Sequence, residues 1–173
     1  MQDPKVDIII IRGAPGSGKS QTAKSLSQFF PEGVKLEVDI LRQMVISVDW
    51  KNQKEHINLL QVSTGLVYDF LKLGFTPVIV VDTFSGDKIN KYLESLYQLD
   101  KTLSIKLFGL YVTDEELKGR LDLRSDPEFR DFGICKKLND DLIKMKIRTE
   151  HQIDTTGRLP QQTAELIFNG LND

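Results

Sequence analysis

The chain has 173 residues, of which 40 % are hydrophobic and 28 % are charged, and its net charge is −2. This composition is ordinary for a globular protein, and we expect one domain over residues 1–173. The charge balance argues against a broad nucleic-acid-binding surface, and no apolar run approaches the ~20 residues that span a bilayer. A single cysteine, Cys135, excludes an internal disulfide, and the first residues carry no signal-peptide pattern. We therefore expect a cytoplasmic protein with no membrane partner.

The first predicted elements are a strand, a glycine-rich loop and a helix. Residues 6–11 are almost continuously β-branched, as in a buried parallel strand, and residues 20–30 carry the apolar spacing of a helix. Between them, residues 13–20 read Gly-Ala-Pro-Gly-Ser-Gly-Lys-Ser, the phosphate-binding pattern G-x-x-x-x-G-K-S/T. Glycines let backbone N–H groups approach phosphate oxygens, and the positive end of the following helix points at the same oxygens.

This phosphate loop predicts a site for a nucleoside triphosphate, which we take to be ATP. Lys19 would place a cation against the outer phosphates, and Ser20 would offer a hydroxyl to Mg²⁺. A glycine-rich surface turn is the alternative, which the matching strand and helix disfavour. The residues predicted to bind the nucleotide through the loop are Gly13, Ala14, Pro15, Gly16, Ser17, Gly18, Lys19, Ser20 and Gln21.

A carboxylate and an arginine follow the second predicted strand, which covers residues 34–38. Asp39 comes directly after this strand, and Arg42 lies three residues on, in a short helix predicted over residues 40–47. Phosphoryl transfer needs a group that orients or deprotonates the attacking hydroxyl, and an aspartate one strand away from the phosphate loop can do so. Arg42 could then hold a polar or anionic acceptor. The alternative is that Asp39 caps the short helix and that Arg42 is a solvated surface residue.

Asp82 ends the third predicted strand, residues 77–81. An irregular stretch over residues 48–55 and a long helix predicted over residues 56–73 precede this strand. An aspartate at this place in a phosphate-loop fold can hold the Mg²⁺ shell through water, next to Ser20, or contact the acceptor. The alternative is an Asx turn that caps the following segment.

Two arginines share one face of the helix that follows the fourth predicted strand, residues 103–112. Thr113 and Glu116 have the spacing of a capping box at the start of this helix, which runs to about residue 124. Arg120 and Arg124 are four residues apart, so they lie on the same side of it. Placed over a triphosphate, they would neutralise the charge of the transferring group. The alternative is that they are solvated and paired with nearby carboxylates, namely Asp122, Asp126 or Glu128.

The remaining elements complete an alternation of strands and helices. They are a helix over residues 87–99, a polar loop over residues 125–133, a helix over residues 134–149, a strand over residues 151–155 and a helix that Pro160 opens. This alternation predicts an α/β, three-layer P-loop fold with a five-stranded parallel sheet, helices on both faces and a small lid over about residues 114–133. In such folds ligands bind beyond the carboxyl ends of the strands, where the phosphate loop, Asp39, Asp82, Thr113 and Thr156 converge.

Thr156 and Gly157 follow the fifth strand and could face the nucleotide base through their backbone. A plain turn between strand and helix is the alternative, and spacing does not decide between the two. The histidines, His56 and His151, have the positions of ordinary helix and strand residues, and no His/Cys cluster has metal-ligand spacing.

With these motifs in these positions, the chain resembles the small P-loop kinases of the nucleoside-monophosphate-kinase-like superfamily, particularly the polynucleotide kinase and chloramphenicol phosphotransferase branch. The matching elements are the phosphate loop, Asp39 with Arg42, Asp82 with Thr83, Arg120 with Arg124, and residues 154–157. The resemblance implies that Asp39 is the general base, that Arg120 stacks on the adenine and that Arg124 reaches the phosphates. The lid is net acidic and no additional basic segment is present, which favours a small-molecule acceptor over a nucleic acid.

These inferences predict an ATP-dependent phosphotransferase that moves the γ-phosphate to a hydroxyl of a small molecule and uses Mg²⁺. The alternatives are a 5′-hydroxyl polynucleotide kinase and a nucleotide-binding regulatory module without transfer activity. The predicted catalytic residues are Lys19, Asp39 and Arg124. Beyond the loop, the residues predicted to bind the nucleotide are Arg120, Thr156 and Gly157. The residues predicted to bind the acceptor are Asp39, Arg42 and Asp82, and those predicted to bind the metal are Ser20 and Asp82. The identity of the acceptor, the choice between ATP and another nucleoside triphosphate, and the oligomeric state stay open.

Overall fold

The predicted strands form one parallel sheet in a computed structural model, which describes residues 5–125 and 127–172. The strands are β1 (Ile8–Gly13), β2 (Val34–Glu37), β3 (Val78–Asp82), β4 (Ile105–Tyr111) and β5 (Glu150–Asp154), in the spatial order β2-β3-β1-β4-β5. The helices are α1 (Lys19–Leu26), α2 (Val38–Gln43), α3 (Gln53–Lys72), α4 (Lys88–Leu99), α5 (Asp114–Asp122), α6 (Phe132–Lys144) and α7 (Pro160–Asn169). The predicted α/β fold is confirmed. Residues 1–4, 126 and 173, which the predicted domain or lid includes, lie outside the described residues.

β1 lies at the centre of the sheet because its side chains are apolar towards both faces. Successive side chains of a strand point to opposite faces, and Ile8, Ile9, Ile10 and Ile11 are all fully buried. Ile9 and Ile11 pack in one apolar cluster with residues of α1 and α7, whereas Ile8 and Ile10 pack in another with residues of α3 and α4. Helices on both sides therefore account for the continuous β-branched run.

The register of the sheet brings the ends of β1 and β3 together. Arg12 of β1 lies beside Asp82 of β3 on one side and beside Gly109 of β4 on the other. The phosphate loop begins at Gly13, one residue beyond this row. Strand pairing therefore places the backbone of Asp82 at the edge of the loop.

A buried ion pair reaches from Arg12 across β4 to β5. Arg12 donates from Nε to Oε1 of Glu150 at 2.5 Å and from Nη2 to Oε2 at 2.9 Å, and both side chains are almost fully buried. Glu150 lies on β5, so the pair spans the strand between them. Gly109 leaves room for it, because a Cβ at this position would lie 2.6 Å from Oε1 of Glu150.

α2 begins earlier than the sequence predicts. β2 ends at Glu37 and α2 starts at Val38, so Asp39 lies in the first turn of the helix instead of directly after the strand. Glu37 holds the N-cap position without a side-chain cap, and the alternative that Asp39 caps the helix is therefore wrong. A carboxylate in a first turn is nevertheless favoured by the helix dipole.

The capping box predicted for α5 is not formed. Thr113 makes no side-chain hydrogen bond to the helix, and its N–H donates instead to Oγ1 of Thr156 at 3.0 Å. Oε2 of Glu116 accepts from the N–H of Gly157 at 2.6 Å. The prediction failed because tertiary contacts with the segment after β5 replace the local cap.

Two other helices begin earlier than predicted because a polar side chain caps each of them. Oδ1 of Asn52 accepts from the N–H of Glu55 at 3.1 Å and starts α3, and Oδ1 of Asp131 accepts from the N–H of Ile134 at 2.9 Å and starts α6. The polar loop before α6 is correspondingly shorter than predicted. No helix in the described part of the chain is long and apolar enough to cross a membrane.

Candidate active site

The phosphate loop joins β1 to α1 and turns through two glycines. Gly16 and Gly18 have φ values of 89° and 94°, a left-handed conformation that other residues adopt at a cost. Gly16 also lies against α5, because a Cβ there would come within 2.8 Å of Cδ1 of Leu117. The loop leads directly into α1 at Lys19, so its N–H groups and the positive end of that helix can act on one anion.

Lys19 is the first residue of α1, and its ammonium lies among the charges of the site. Nζ donates to the carbonyl oxygen of Ala14 at 3.1 Å, which folds the side chain back over the loop. Burial lowers the pKa of Lys19, while the carboxylates of Asp82 and Asp39 act in the opposite direction. An incompletely solvated ammonium next to the loop can hold phosphate oxygens strongly, because little water has to be displaced from it.

Asp39 reaches the same cluster from the first turn of α2. Its side chain is exposed, yet desolvation and the nearby charge of Asp82 raise its pKa, and the charges of Lys19 and Arg42 oppose this rise. The carboxylate therefore takes up a proton more readily than an ordinary surface aspartate. This is the property required of a group that accepts the proton of a hydroxyl.

Asp82 is buried at the end of β3, and each of its carboxylate oxygens has a hydrogen-bond partner. Oδ2 accepts from the N–H of Phe84 at 2.8 Å, which is the Asx turn that the sequence left as an alternative. Oδ1 lies 3.1 Å from Nε2 of His56, a buried residue in the first turn of α3. The turn residue Phe84 is itself buried in the left-handed region at φ 48°. Asp82 thus combines a turn-forming role with a position beside Lys19.

Sequence reasoning missed His56. It assigned this residue to an ordinary helix position, whereas the imidazole lies between Asp82 and Lys88, with Nδ1 3.2 Å from Nζ of Lys88. The signal available in the sequence was weak: a histidine near the start of a helix, in the stretch just before its apolar pattern begins.

Glu37 is the second residue that sequence reasoning missed. Oγ of Ser20 donates to Oε2 of Glu37 at 2.8 Å, and Lys35 pairs with the other oxygen of this carboxylate. Burial acts to raise the pKa of Glu37, but the hydrogen bonds from Lys35 and Ser20 prevail and lower it. Glu37 is therefore a firmly ionised carboxylate at the hydroxyl predicted to bind metal. Its place at the end of β2, two residues before Asp39, was a usable signal.

The oxygen atoms around Ser20 fit a Mg²⁺ ion shared with a triphosphate. Mg²⁺ keeps several waters and is usually bound by one or two protein groups together with phosphate oxygens. Ser20 offers a hydroxyl, and Glu37 and Asp82 offer carboxylate oxygens that retain a free lone pair. Within residues 5–125 and 127–172, no three His, Cys, Asp or Glu side chains form a ready-made metal site, so the phosphates would have to supply ligands.

Arg42 is only 5 % exposed, and in the described part of the chain it forms no ion pair with a carboxylate. Nη2 donates to the carbonyl oxygen of Asp49 at 3.2 Å, and Cζ lies 4.6 Å from the ring centroid of Trp50. Nε has no hydrogen-bond partner. The alternative of a solvated surface arginine is therefore wrong. A buried guanidinium without a paired carboxylate is costly, and an anionic ligand group nearby would offset that cost.

Arg120 ties α5 to the phosphate loop and to the segment after β5. Nη1 donates to the carbonyl oxygen of Gly16 at 3.3 Å, and Nη2 donates to that of Thr155 at 2.8 Å. Its carboxylate partner is Glu116, one turn earlier on α5. Of the acidic residues that the sequence offered as alternatives, Asp122 and Glu128 do not pair with Arg120, and Asp126 lies outside the described residues. The carboxylate of Glu116 also accepts from the N–H of Gly157, which ties the segment after β5 to α5.

Arg124 lies just beyond the end of α5 and is half-buried. Nη1 donates to the carbonyl oxygen of Phe129 at 3.0 Å. Its positive charge is close enough to Lys19 to contribute to the lowered pKa of that lysine. The structure therefore brings Arg124 to the phosphate-loop side of the site.

The order of the strands divides the predicted residues into two groups. The loop follows the central strand β1, and Asp39 and Asp82 follow β2 and β3 on one side of it. Thr156 and Gly157 follow β5 at the opposite edge. The residues predicted to bind the acceptor and those predicted to face the nucleotide base therefore lie on opposite sides of the loop.

A parallel sheet with a phosphate loop after its central strand, and carboxylates after the two neighbouring strands on one side, defines the class of P-loop kinase-like folds. The chain belongs to the AAA_33 family, described as an AAA domain, which it matches over residues 8–139. No curated protein matches the chain closely enough to count as a relative.

Solved structures with a similar fold include kinases and a resistance protein. The tunicamycin resistance protein of Deinococcus radiodurans is 24 % identical, with 96 % of each chain covered and a TM-score of 0.68. A gluconokinase from Sinorhizobium meliloti 1021 is 16 % identical, with 99 % of this chain and 94 % of that chain covered and a TM-score of 0.67. A chain of the Pnkp1/Rnl/Hen1 RNA repair complex is 22 % identical over 80 % of this chain and 44 % of that chain, with a TM-score of 0.64. The predicted resemblance to P-loop kinases is confirmed.

Proposed function

We propose that the protein is an ATP-dependent phosphotransferase that moves the γ-phosphate to a hydroxyl of a small-molecule acceptor. The placement of Asp39 supports this proposal: it lies in the first turn of α2, which follows β2 directly, at the same edge of the parallel sheet as the phosphate loop that follows β1. Lys19 and Asp39 accordingly act on each other's pKa. A carboxylate with a raised pKa beside a phosphate-binding lysine can take the proton of a hydroxyl that attacks the bound phosphate. A nucleotide-binding module without transfer activity has no need of such a group.

Each residue of the site has a separate role in the proposed reaction. Lys19 and the loop amides hold the β- and γ-phosphates, Asp39 orients the acceptor hydroxyl and takes its proton, and Arg124 neutralises charge on the transferring group. Ser20 and Asp82, the latter through water, would hold Mg²⁺, which when bound neutralises charge on the phosphate oxygens. The proposal includes a cytoplasmic location, which the single buried thiol of Cys135 supports.

The surface around Asp39 indicates the character of the acceptor. Arg42 provides a cation without a carboxylate partner in the described residues, and four large apolar side chains nearby in the chain are exposed. Those side chains are Ile40 at 52 %, Met44 at 74 %, Ile46 at 104 % and Trp50 at 46 % exposure. This combination suits an acceptor that carries both an anionic or polar group and an apolar portion.

A screen of ADP release tests the proposal. The protein with MgATP is offered nucleosides, sugars, antibiotics and 5′-hydroxyl oligonucleotides, and Lys19→Ala is measured in parallel to subtract contaminating activity. We expect at least one small hydroxyl compound to raise ADP release in the wild-type protein only. Binding of MgATP without transfer to any class would instead favour a regulatory module.

A polynucleotide kinase is the second candidate, and the fold shared with a chain of the RNA repair complex is the observation that favours it. Phosphate contacts make oligonucleotide affinity fall steeply with salt. A few phosphate contacts should lower the affinity for an oligonucleotide about tenfold or more between roughly 50 and 200 mM salt. Transfer to a 5′-hydroxyl oligonucleotide with such a salt dependence would support this candidate over a small-molecule kinase.

A further inference from the structure

His56 lies between a carboxylate of the candidate active site and a lysine from another helix. It is 7 % exposed, Nε2 is 3.1 Å from Oδ1 of Asp82, and Nδ1 is 3.2 Å from Nζ of Lys88. These residues come from α3, β3 and α4, so the fold and not the local sequence brings them together.

The partners of the imidazole determine which of its nitrogens carries the proton. The ammonium of Lys88 has donors and no acceptor, so Nδ1 of His56 must accept from it. Nε2 then carries the ring proton and donates to Asp82. Lys88 is itself held in place, since it donates to Oε1 of Gln53 at 2.7 Å and to Oγ of Ser85 at 3.3 Å.

The hydrogen bond from His56 completes the fixation of Asp82. The other carboxylate oxygen accepts from the N–H of Phe84 at 2.8 Å, so the carboxylate is held at both ends. Its charge is the strongest one acting on Lys19 and also acts on Asp39. A rotation of this carboxylate would therefore change the surroundings of both groups without either of them moving.

We propose that His56 is a positioning residue for phosphoryl transfer: its Nε2–H fixes the carboxylate of Asp82 beside Lys19 and Asp39, and Lys88 keeps the imidazole in that tautomer. This inference rests on the proposed phosphotransferase function. His56 makes no hydrogen bond to the loop or to Asp39, so its hydrogen-bonding effect on them passes through Asp82; a positive charge on its ring would also act directly to lower the pKa of Asp39.

Two substitutions at this position separate positioning from packing. His56→Gln places a terminal amide nitrogen near the position of Nε2 and can still donate to Asp82, whereas His56→Asn is too short to do so. His151→Gln is the matched control, because His151 is the other histidine of the chain and lies exposed on β5. Three quantities are measured for each variant: kcat, the Kd for MgATP, and Tm. The kcat is measured once with water as the phosphate acceptor and once with the acceptor found in the screen.

We expect His56→Asn to lower kcat about tenfold or more while the Kd for MgATP changes less than threefold, as for a group that acts in the transition state. His56→Gln should retain at least a third of the wild-type kcat. If His56→Asn has the kcat of the wild type, or if both variants lose activity only in step with their loss of folded protein, the positioning role is overturned. Absence of any turnover in the wild-type protein would overturn the proposed function itself.

A nuclear magnetic resonance measurement tests the tautomer without any turnover. Long-range ¹⁵N–¹H spectra of the imidazoles distinguish a protonated Nε2 from a protonated Nδ1, and His151→Gln assigns the signals because the chain has two histidines. We expect His56 to be protonated at Nε2, and Lys88→Met to introduce the other tautomer. A wild-type His56 protonated at Nδ1 would overturn the inference whatever the kinetics show.

Discussion

Asp39 is an exposed carboxylate whose surroundings disfavour its charge. Its raised pKa means that the folded protein binds the proton more tightly than the unfolded chain does. The ionised group therefore opposes folding above its folded-state pKa, and this penalty disappears as the pH falls below that pKa. A carboxylate in such surroundings favours a role in catalysis over a role in stabilising the fold.

Asp39→Asn should accordingly lower kcat by about 10²-fold or more, the scale expected for general base catalysis, with little change in MgATP affinity. The variant should be no less stable than the wild type at pH 7, since it removes the disfavoured charge. Steady-state kinetics and a thermal melt measure the two quantities, with Asp87→Asn, a surface residue, as the control. Unchanged turnover in Asp39→Asn would remove the general base from the proposal.

The same carboxylate sets the acid limb of the pH profile. Because desolvation and Asp82 raise the pKa of Asp39, kcat/KM should begin to fall at a higher pH than an ordinary aspartate would cause. The fall should be absent from the residual activity of Asp39→Asn. A limb that persists unchanged in that variant would assign it to another group.

At the scale of a secondary-structure element, β4 depends on Gly109. A Cβ at this position would lie 2.6 Å from Oε1 of Glu150 and would displace a carboxylate that pairs with Arg12 in the interior. Breaking a buried ion pair costs about 3–5 kcal/mol. We expect Gly109→Ala to lower the free energy of unfolding by roughly that amount, measured by urea denaturation.

Gly119 provides the matched control for this substitution. It lies exposed within α5, and no atom lies within 4 Å of the position that its Cβ would take. Alanine there should stabilise the helix by about 0.5–1 kcal/mol. Equal changes in the free energy of unfolding for Gly109→Ala and Gly119→Ala would contradict the idea that Gly109 leaves room for the ion pair of Arg12 and Glu150.

The connection between α5 and α6 is the element whose order we expect ATP to change. Leu123 is 88 % exposed and Phe129 is 47 % exposed, so this segment has little apolar contact to hold it. Closing over a triphosphate would bring Arg124 to the phosphates and order the segment. Backbone amides of residues 123–125 and 128–131 should exchange fast with deuterium in the free protein and measurably more slowly with a non-hydrolysable ATP analogue. Amides in α6 serve as the control, because their exchange should not change with the analogue. Equal exchange of the segment between α5 and α6 with and without the analogue would show that it does not act as a lid.

For the whole molecule, nucleotide binding and stability are linked. A ligand at 100 times its Kd adds about 2.7 kcal/mol to the free energy of unfolding, which for a chain of this size raises Tm by roughly 5–10 °C. We expect MgATP to have this effect on the wild-type protein and to lose it in Lys19→Ala.

Free Lys19→Ala protein should melt no lower than the free wild type. Burial lowers the pKa of Lys19 in the folded protein, so the ammonium is held less favourably there than in the unfolded chain, and its removal costs no stability at neutral pH. A fall of Tm by several degrees without nucleotide would show instead that Lys19 supports the fold.

Much of the fold could be predicted from local pattern. The β-branched run of β1, the glycine spacing of the loop and the alternation of strands with helices all act over a few neighbouring residues, and the parallel sheet confirms them. Helix starts were predicted less well. Asn52 and Asp131 cap their helices before the apolar spacing begins. The capping box at Thr113 is not formed, and Thr156, which is distant in sequence, binds the N–H from which the side chain of Glu116 would have accepted.

Local pattern is sufficient to predict the phosphate loop and the order of elements that places Asp39 and Asp82 at its edge. The contacts that shift the pKa values and fix the positions of these groups depend on tertiary packing. Ser20 meets Glu37 from 17 residues away, His56 meets Asp82 from 26 and Arg12 meets Glu150 from 138. Periodicity describes one element at a time, whereas these pairs depend on the register between strands and on the packing of helices across the sheet. The physical reason is that strand pairing and side-chain burial are satisfied by the whole fold together, and no spacing within the chain records which polar groups then face each other.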